Sequence, residues 1–483
     1  MIRVAAPLAA PRHRHVGVSI VLACWAAWGL GVIAVQADLS QPGSFLAAWA
    51  DVTVSRPDNS TFTAALYYPA STAGQGGTYD PSGGPYPAVS FGHGFLQSVE
   101  QYQSTLQHLA THGYLVIASR SQGGLFPSHA AFAADLRHCL TWLEQANANP
   151  ASWLYQQVDT QRFALSGHSM GGGCSLLAAA ADARVRAVVN MAAAETNPSA
   201  VAAMPGIAVP IRLISGSQDT VTPLSQHGQL MYNAAAAPKQ LPIIQGGFHC
   251  GFVDQNFFGC DSGSMSRSVQ LSITRRLLTE FLNLYLRQDD SAWRAVWGPE
   301  RENDTRVAWQ LNAGGGLGPA AQTVVGLAGE TVTAALTVTQ SGPRSTAYDL
   351  LSEDGAWPLQ WSPPVTPVLS AGEVFDAAVA VSLPGDSRPA VSDYLLSARS
   401  QRDGGTRIYA TLRVVSRGRP GDLDCNGVWD GRDISALVLA LLDPSAYTAA
   451  YPDCNRLLAD MNGDDTVDEQ DVAPFIERLL SAP

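Results

Sequence analysis

The chain has 483 residues, which is long for a single domain, and 46% of them are hydrophobic, enough for several packed cores. Its formal net charge is −12, and residues 420–483 alone contain 13 acidic and 3 basic residues. Because nucleic-acid binding requires basic patches that neutralise phosphates, this charge balance argues against a nucleic-acid partner.

The N-terminus has the features of an export signal. Arg3, Arg12 and Arg14 precede the apolar run Val16–Val35, and Ala37 ends a small-residue cleavage site. We therefore predict a signal peptide over residues 1–37 and a secreted or cell-surface mature protein. The apolar run is about 20 residues long, enough to span a bilayer, so an uncleaved membrane anchor is the alternative.

Between residues 38 and 304, short apolar strands alternate with segments of helical length. This alternation predicts a mostly parallel sheet with helices on both faces. The predicted elements are a strand at Ala88–Phe91, a helix at Val99–Thr111, a strand at Leu115–Ala118, a helix at Ala130–Ala146 and a closing helix at Arg267–Leu286.

A glycine-flanked serine lies where one of these strands meets a helix. Residues 167–171 read Gly-His-Ser-Met-Gly, and a Gly-x-Ser-x-Gly turn of this kind exposes the serine hydroxyl as a nucleophile. Asp219 and His249 each follow an apolar strand, which completes the Ser-Asp-His chain order of α/β-hydrolases. We predict that Ser169 attacks the substrate, that His249 takes its proton and that Asp219 orients the imidazole. This chemistry requires no cofactor.

An oxyanion intermediate also needs hydrogen-bond donors fixed in advance. One should be the backbone N–H of Met170, directly after the nucleophile. The other should come from the loop after the Ala88–Phe91 strand, where residues 92–95 read Gly-His-Gly-Phe, and we assign it to Phe95.

Four segments together resemble the bacterial cutinases and polyester hydrolases: residues 158–173, the turn at 94–95, residues 218–223 and residues 246–249. Residues 89–117 are also similar to chlorophyllase-like members of the dienelactone-hydrolase superfamily. The resemblance covers roughly residues 50–290 and implies an esterase that works through an acyl-enzyme. It places Phe95, His168 and Val221 at the substrate, with Phe95 and Met170 around the oxyanion.

One departure from that family concerns the substrate. Polyester hydrolases carry a tryptophan where this chain has Ala193, Ala194 and Glu195, so we expect an open cleft at Ala194 without an aromatic clamp. Soluble short or medium esters should therefore be preferred over aromatic polyester. Three other functions stay open: a lipase or chlorophyllase-type esterase on lipidic esters, an esterase on acylated polysaccharide, and a non-catalytic surface or adhesion protein.

Residues 320–416 have a different sequence pattern from the segment before them. Alternating segments such as Val324–Thr339, Val374–Val381, Tyr394–Ala398 and Arg407–Val415 are separated by glycine, proline and serine clusters. This pattern predicts an antiparallel, immunoglobulin-like β-sandwich. Glycine-rich stretches at 313–318 and 416–421 are the predicted linkers on either side.

Residues 420–483 contain an internal repeat of two acidic loops, each followed by an apolar helix, Ile434–Leu442 and Val472–Leu480. Calcium loops place oxygen ligands at positions 1, 3, 5, 7, 9 and 12, with a backbone carbonyl at position 7. The residues in this register are Asp422, Asp424, Asn426, Val428, Asp430 and Asp433 in the first loop and Asp460, Asn462, Asp464, Thr466, Asp468 and Asp471 in the second.

The spacing and the aspartate at position 12 resemble a type I dockerin. The resemblance implies structural Ca²⁺ and a cohesin-like or other cell-surface partner. Asp465 stands where a glycine is expected, so calcium binding is better supported than any particular partner.

Six cysteines remain after the predicted signal, and an exported protein can form disulfides from them. Cys250 with Cys260 and Cys425 with Cys454 are candidate pairs, whereas Cys139 and Cys174 fit buried thiols on helices. Six cysteines allow 15 pairings, and sequence does not choose among them.

Overall fold

The computed structural model describes residues 38–257, 259–385, 389–464 and 466–481. The signal peptide or anchor predicted for residues 1–37 lies outside these residues. In the part of the chain that is described, no helix is both long and apolar enough to cross a membrane.

The first half of the protein is built on a ten-stranded sheet with the strand order β10-β9-β8-β7-β6-β4-β5-β2-β1-β3. Strands β4 to β9 are parallel, and β2 and β10 pair antiparallel with their neighbours. Strand β1 pairs antiparallel with β2 and parallel with the short strand β3. The strands are β1 (Leu46–Ser55), β2 (Thr61–Ala70), β3 (Gly74–Gln75), β4 (Tyr86–Gly92), β5 (Leu115–Ser119), β6 (Val158–His168), β7 (Val185–Met191), β8 (Ile211–Gly216), β9 (Lys239–Ile244) and β10 (Val307–Asn312).

Helices cover both faces of this sheet. They are α1 (Gln103–Thr111), α2 (His129–Ala148), α3 (Met170–Ala180), α4 (Ala200–Ala203), α5 (Gly228–Ala234), α6 (Arg267–Leu282) and α7 (Trp293–Val296). Successive strand residues point to opposite faces, so that Leu66 packs in the core with α2 and α3 while Tyr67 packs with α1 and α6. This mixed sheet between helical layers is consistent with the predicted α/β-hydrolase architecture.

The predicted elements match with three differences. The helix expected from Val99 begins with a 3₁₀ turn, Val99–Tyr102, before α1 starts. The closing helix α6 ends at Leu282 and continues as a π-helical turn, Asn283–Arg287. Finally, β10 extends the sheet beyond residue 304, because its residues pair along the whole of β9 from Ile244 to Lys239.

Residues 315–416 form two four-stranded sheets around a shared apolar core. One sheet has the order β11-β13-β16-β15 and the other β12-β18-β17-β14. The strands are β11 (Gly315–Gly318), β12 (Ala321–Gly326), β13 (Thr331–Gln340), β14 (Tyr348–Asp354), β15 (Leu359–Ser362), β16 (Val374–Ser382), β17 (Ala390–Ser400) and β18 (Arg407–Ser416).

This sandwich departs from the sequence prediction in three ways. Residues 315–318, predicted as linker, form the edge strand β11, so the sandwich begins before residue 320. The segment Val324–Thr339 comprises two strands, which lie in different sheets. The sheets are also not purely antiparallel, since β12 pairs parallel with β18. Strands β12 and β18 are far apart in the chain and are not joined by a hairpin, so they can pair in either direction.

The sandwich is joined to the α/β part by buried polar contacts. The fully buried Arg407 guanidinium lies 4.8 Å from the ring centroid of Trp293 and 3.0 Å from a Glu353 carboxylate oxygen. Trp293 Nε1 donates to the same carboxylate at 2.7 Å, and the Tyr285 and Thr406 hydroxyls are 2.9 Å apart. Charged groups with this degree of burial persist because they are paired.

The C-terminal segment has its own small core, to which Trp429, Tyr447 and Phe475 contribute. Its helices are α8 (Asp433–Leu442), α9 (Pro444–Ala450) and α10 (Val472–Leu480). The two helices predicted after the acidic loops are confirmed, whereas α9 was not predicted.

Both candidate disulfides are present, Cys250–Cys260 and Cys425–Cys454. Cys139 and Cys174 are free and buried, as expected.

Candidate active site

The turn that carries Ser169 has backbone contacts that are too close for any residue with a side chain. A Cβ on Gly171 would lie 2.1 Å from the carbonyl oxygen of Gly92, and one on Gly167 would lie 2.5 Å from the Gly171 backbone. Helix α3 can therefore start directly against β4 and β6 only because these positions are glycine. The close approach explains both glycines of the Gly-x-Ser-x-Gly pattern.

Ser169 itself has a φ of 54°, a left-handed conformation that is rare for a residue with a side chain. Its N–H donates to the Met191 carbonyl at 3.1 Å, and its carbonyl accepts from the Ala194 N–H at 2.9 Å and the Gly173 N–H at 3.1 Å. Backbone strain of this kind persists where the surroundings enforce it, which is common at reactive residues. The strained turn holds Ser169 at the carboxyl end of β6.

Asp219 and His249 lie on the loops after β8 and β9, at the same edge of the parallel sheet. The Nδ1 of His249 and Oδ2 of Asp219 are 2.9 Å apart, and both side chains are 2% exposed. The His249 ring lies 4.5 Å from the ring of His168, the residue that precedes Ser169. The structure thus places Asp219 against His249, and it places the His249 ring beside the residue that precedes Ser169.

Thr222 is a partner of this pair that the sequence interpretation missed. Its hydroxyl donates to Asp219 Oδ2 at 2.8 Å and lies 3.1 Å from His249 Nδ1, and its N–H donates to Asp219 Oδ1 at 2.7 Å. Burial by itself would raise the pKa of Asp219, but the hydrogen bonds from His249 and Thr222 outweigh it and lower that pKa below its ordinary value. Asp219 is therefore a carboxylate at neutral pH.

A second carboxylate fixes the histidine backbone. Asp261 accepts the N–H of His249 at 2.9 Å, of Cys250 at 3.0 Å and of Thr220 at 3.1 Å. It therefore ties the aspartate loop to the histidine loop, next to the Cys250–Cys260 disulfide. The chain position of Asp261, after the last parallel strand, was visible in the sequence, but its backbone contacts were not.

The two predicted oxyanion donors lie at the start of α3 and on the loop after β4. Met170 is the first residue of α3, where the N–H has no partner within the helix. Phe95 follows Gly94, whose N–H donates to the Tyr102 hydroxyl at 3.0 Å, and that hydroxyl lies 2.8 Å from His168 Nδ1. The loop of Phe95 is thus connected to the elbow through one side chain.

The predicted substrate residues divide into two groups. Phe95 and Val221 are 44% and 46% exposed, and Ala194 is partly exposed beside the Ser169 carbonyl, so these three can line an open cleft. His168 differs, because it is fully buried between Tyr102, Phe252 and His249. The His168 ring therefore packs inside the protein against His249 and does not line the open cleft. Burial, with the charge of His249 as a second cause, lowers the pKa of His168 well below its usual value.

The first acidic loop of the C-terminal segment gathers its carboxylates. Oxygen atoms of Asp422, Asp424 and Asp433 lie within 4.8 Å of one another. Burial, together with the charge of Asp424, raises the pKa of Asp422 and of Asp433, as expected for clustered carboxylates. Carboxylate oxygens are the ligands that Ca²⁺ prefers, so the residues present fit that ion.

The second loop repeats the backbone arrangement of the first. Asp433 Oδ1 accepts the N–H groups of residues 423 and 424, and Asp471 Oδ1 accepts those of residues 461 and 462 at the equivalent distances of 2.7 and 3.2 Å. Both aspartates are fully buried. The aspartate at position 12 therefore makes the same backbone contacts in both loops, whereas among the described residues a cluster of three converging carboxylates is found in the first loop.

Comparison with known proteins identifies relatives of the α/β part. Residues 41–263 match the family described as PET hydrolase-like. Similar proteins include cutinase est1 of Thermobifida alba, 27% identical over 161 residues, and cutinase 1 of Thermobifida cellulosilytica and a cutinase of Thermobifida fusca strain YX, each 27% identical over 169 residues.

These alignments cover 33% to 34% of this chain and 52% to 60% of the three cutinases. The chain therefore spans little more than half the length of these relatives. Residues 41–263 thus form a PET hydrolase-like domain with distant relatives among the cutinases.

Proposed function

We propose that this protein is an exported serine carboxylic ester hydrolase, cutinase-like, that works through an acyl-enzyme in an open cleft. The observation that carries the proposal is the buried Asp219–His249 hydrogen bond beside the strained turn of Ser169. Relatives named cutinases support the reaction class. The two disulfides support export, since such bonds persist in oxidising compartments.

In the proposed mechanism, Nε2 of His249 accepts the Ser169 proton as Oγ attacks the ester carbonyl. The carbonyl oxygen becomes an oxyanion held by the N–H groups of Met170 and Phe95. Collapse of this intermediate breaks the bond to the alcohol, which leaves with the proton from His249. His249 then takes a proton from a water molecule, which attacks the acyl-enzyme carbonyl. The bond to Ser169 Oγ breaks, His249 returns the proton to Oγ, and the acid is released. Asp219 remains ionised and stabilises the imidazolium at each stage.

A fluorophosphonate probe tests the reaction class directly. The purified protein should hydrolyse 4-nitrophenyl butyrate, lose that activity on labelling, and carry the label on the peptide that contains Ser169. A protein that neither turns over the ester nor takes the label would be a non-catalytic scaffold for surface attachment. Turnover with the label elsewhere would refute the proposed nucleophile.

The open cleft at Ala194 leads to a substrate prediction. The wild type should hydrolyse short and medium soluble esters faster than aromatic polyester film. Ala194→Trp should strengthen binding of aromatic esters by roughly 0.5–1.5 kcal/mol, the usual size of an added aromatic contact. KM values for phenyl and alkyl esters measure the effect, and Ala194→Leu controls for added bulk. A wild type that degrades polyester as readily as small esters would contradict the prediction.

We further propose that the C-terminal segment is a dockerin-like module that binds two structural Ca²⁺ ions. The three converging carboxylates of the first loop support calcium. A cohesin-like or cell-surface partner is supported by α8, where Ile434, Val438 and Leu442 are 48%, 47% and 81% exposed on one face of the helix.

Calcium should stabilise this segment without affecting ester hydrolysis. A ligand that binds only the folded form stabilises it by about 2.7 kcal/mol at a hundred times its Kd. Limited proteolysis of the full chain, with mass spectrometry of the cleavage sites, should therefore show cuts within 420–481 in chelator and protection in Ca²⁺.

Asp433→Ala should abolish this protection, whereas Asp443→Asn, outside both loops, should retain it. Equal cleavage with and without Ca²⁺ would reject the calcium sites. Loss of esterase activity in chelator would show that the two parts are coupled.

A further inference from the structure

The hydroxyl of Tyr102 joins the two sides of the proposed oxyanion site. Tyr102 ends the 3₁₀ turn before α1 and is fully buried. Its oxygen accepts the N–H of Gly94 at 3.0 Å and lies 2.8 Å from Nδ1 of His168. Gly94 directly precedes Phe95, and His168 is separated from Met170 only by the nucleophile. One side chain thus links the neighbours of both predicted oxyanion donors.

The direction of these hydrogen bonds follows from the groups involved. The backbone N–H of Gly94 can only donate, so the tyrosine oxygen accepts from it. The single tyrosine hydrogen remains available for the contact with Nδ1 of a neutral His168 imidazole, a nitrogen that also lies 3.4 Å from Oε1 of Gln97. Burial raises the pKa of Tyr102 and lowers that of His168, so both groups keep these protonation states near neutral pH.

The surroundings hold this bridge in place. A Cβ on Gly94 would lie 3.1 Å from the Tyr102 hydroxyl and 2.7 Å from Oε1 of Gln97, so the loop backbone is pressed against both side chains. The Tyr102 ring packs against Phe91 of β4, with ring centroids 5.0 Å apart. Close packing of this kind leaves the hydroxyl a single position.

We propose that Tyr102 is a positioning residue that sets the spacing between the N–H groups of Phe95 and Met170. The inference rests on the proposed ester hydrolysis and deepens it. Tyr102 touches neither substrate nor nucleophile; it acts through Gly94 and His168. Two donors stabilise an oxyanion only when both reach the same oxygen, so a shift of either amide weakens the transition state more than the ground state.

Tyr102→Phe removes the hydroxyl and keeps the packed ring. The kcat for 4-nitrophenyl butyrate should fall about 10- to 100-fold, the range expected for a displacement near 1 Å, while KM changes little. Phenylboronic acid, which forms a tetrahedral adduct with an active serine, should lose inhibition by a similar factor.

Tyr114→Phe is the matched control, because Tyr114 is also fully buried and its hydroxyl donates to Asn283 at 2.7 Å. It should leave kcat and boronate inhibition close to wild type.

His168→Phe removes the other end of the bridge and should lower kcat by a similar factor, and the double variant should lose no more than either single variant. If Tyr102→Phe fails to fold, His168→Phe alone carries the test. Equal kcat losses for Tyr102→Phe and Tyr114→Phe, additive losses in the cycle, or an effect confined to KM would overturn the inference. A wild type without esterase activity would instead refute the proposed function, which separates the two failures.

Discussion

Replacing Ser169 with alanine should reduce ester turnover by at least about 10⁴-fold and abolish phosphonate labelling. The substitution removes the only atom that forms the acyl bond in the proposed mechanism. The fold should survive, because the backbone of Ser169, and not its hydroxyl, makes the hydrogen bonds to Met191, Gly173 and Ala194. Turnover of 4-nitrophenyl butyrate and circular dichroism, measured on the same preparation, check both halves.

Ser166→Ala is the matched control for this experiment. Ser166 lies on β6, three residues before the nucleophile, and is also buried. Among the described residues its hydroxyl has no hydrogen-bond partner. Its removal should therefore leave turnover close to wild type. If Ser169→Ala retained more than a small fraction of the activity, another residue would have to be the nucleophile.

Asp219→Asn should reduce kcat by about 10⁴-fold at neutral pH. The size of this loss depends on which carboxylate oxygen of Asp219 is replaced by the NH₂ group of asparagine. Oδ1 of Asp219 accepts two backbone N–H groups, from Val221 at 2.9 Å and from Thr222 at 2.7 Å. The amide oxygen of asparagine must stay at that position, so its NH₂ group faces Nδ1 of His249. The imidazole then becomes the tautomer with its proton on Nε2 and cannot accept the proton of Ser169.

The rate of 4-nitrophenyl butyrate hydrolysis measures this effect, with thermal unfolding as a check on the fold. Asp254→Asn is the control, since the Asp254 carboxylate follows β9, the strand that leads to His249, but is bound by Ser104. It should keep most of the wild-type rate. A large loss for Asp254→Asn and a small one for Asp219→Asn would exchange the roles of the two carboxylates.

The sequence predicted those parts of the site that depend on local chain pattern. The elbow glycines, Ser169, Asp219 and His249 each occupy a short segment directly after an apolar strand, and parallel strands bring such segments to one edge. The supporting contacts depend instead on which loops meet. Thr222, Asp261 and Tyr102 bind partners 27, 12 and 66 residues away, and their own segments show no pattern that distinguishes them from ordinary loop or helix residues.

The pattern of apolar residues also predicted individual strands, because a strand depends mainly on residues that are close together in the chain. It predicted β4, β5, β16 and β18 closely. It missed the edge strand β11, because a glycine-rich segment has no side-chain alternation to read. It also missed the parallel pairing of β12 with β18, because alternation predicts a strand but not the direction of its partner. His168 was placed at the substrate by its sequence position, and only the packing of Tyr102 and Phe252 around it shows that it is buried.

The edge strand β10 has a practical consequence for isolating the hydrolase part. A fragment that ended at residue 304 would lack Val307–Asn312 and would leave β9 with a full row of unpaired backbone groups. Such an edge can template association between molecules. The strand so exposed is the one that leads to His249, and the Gln245 N–H that follows it donates to the Arg306 carbonyl. A soluble and active fragment should therefore extend at least to residue 312.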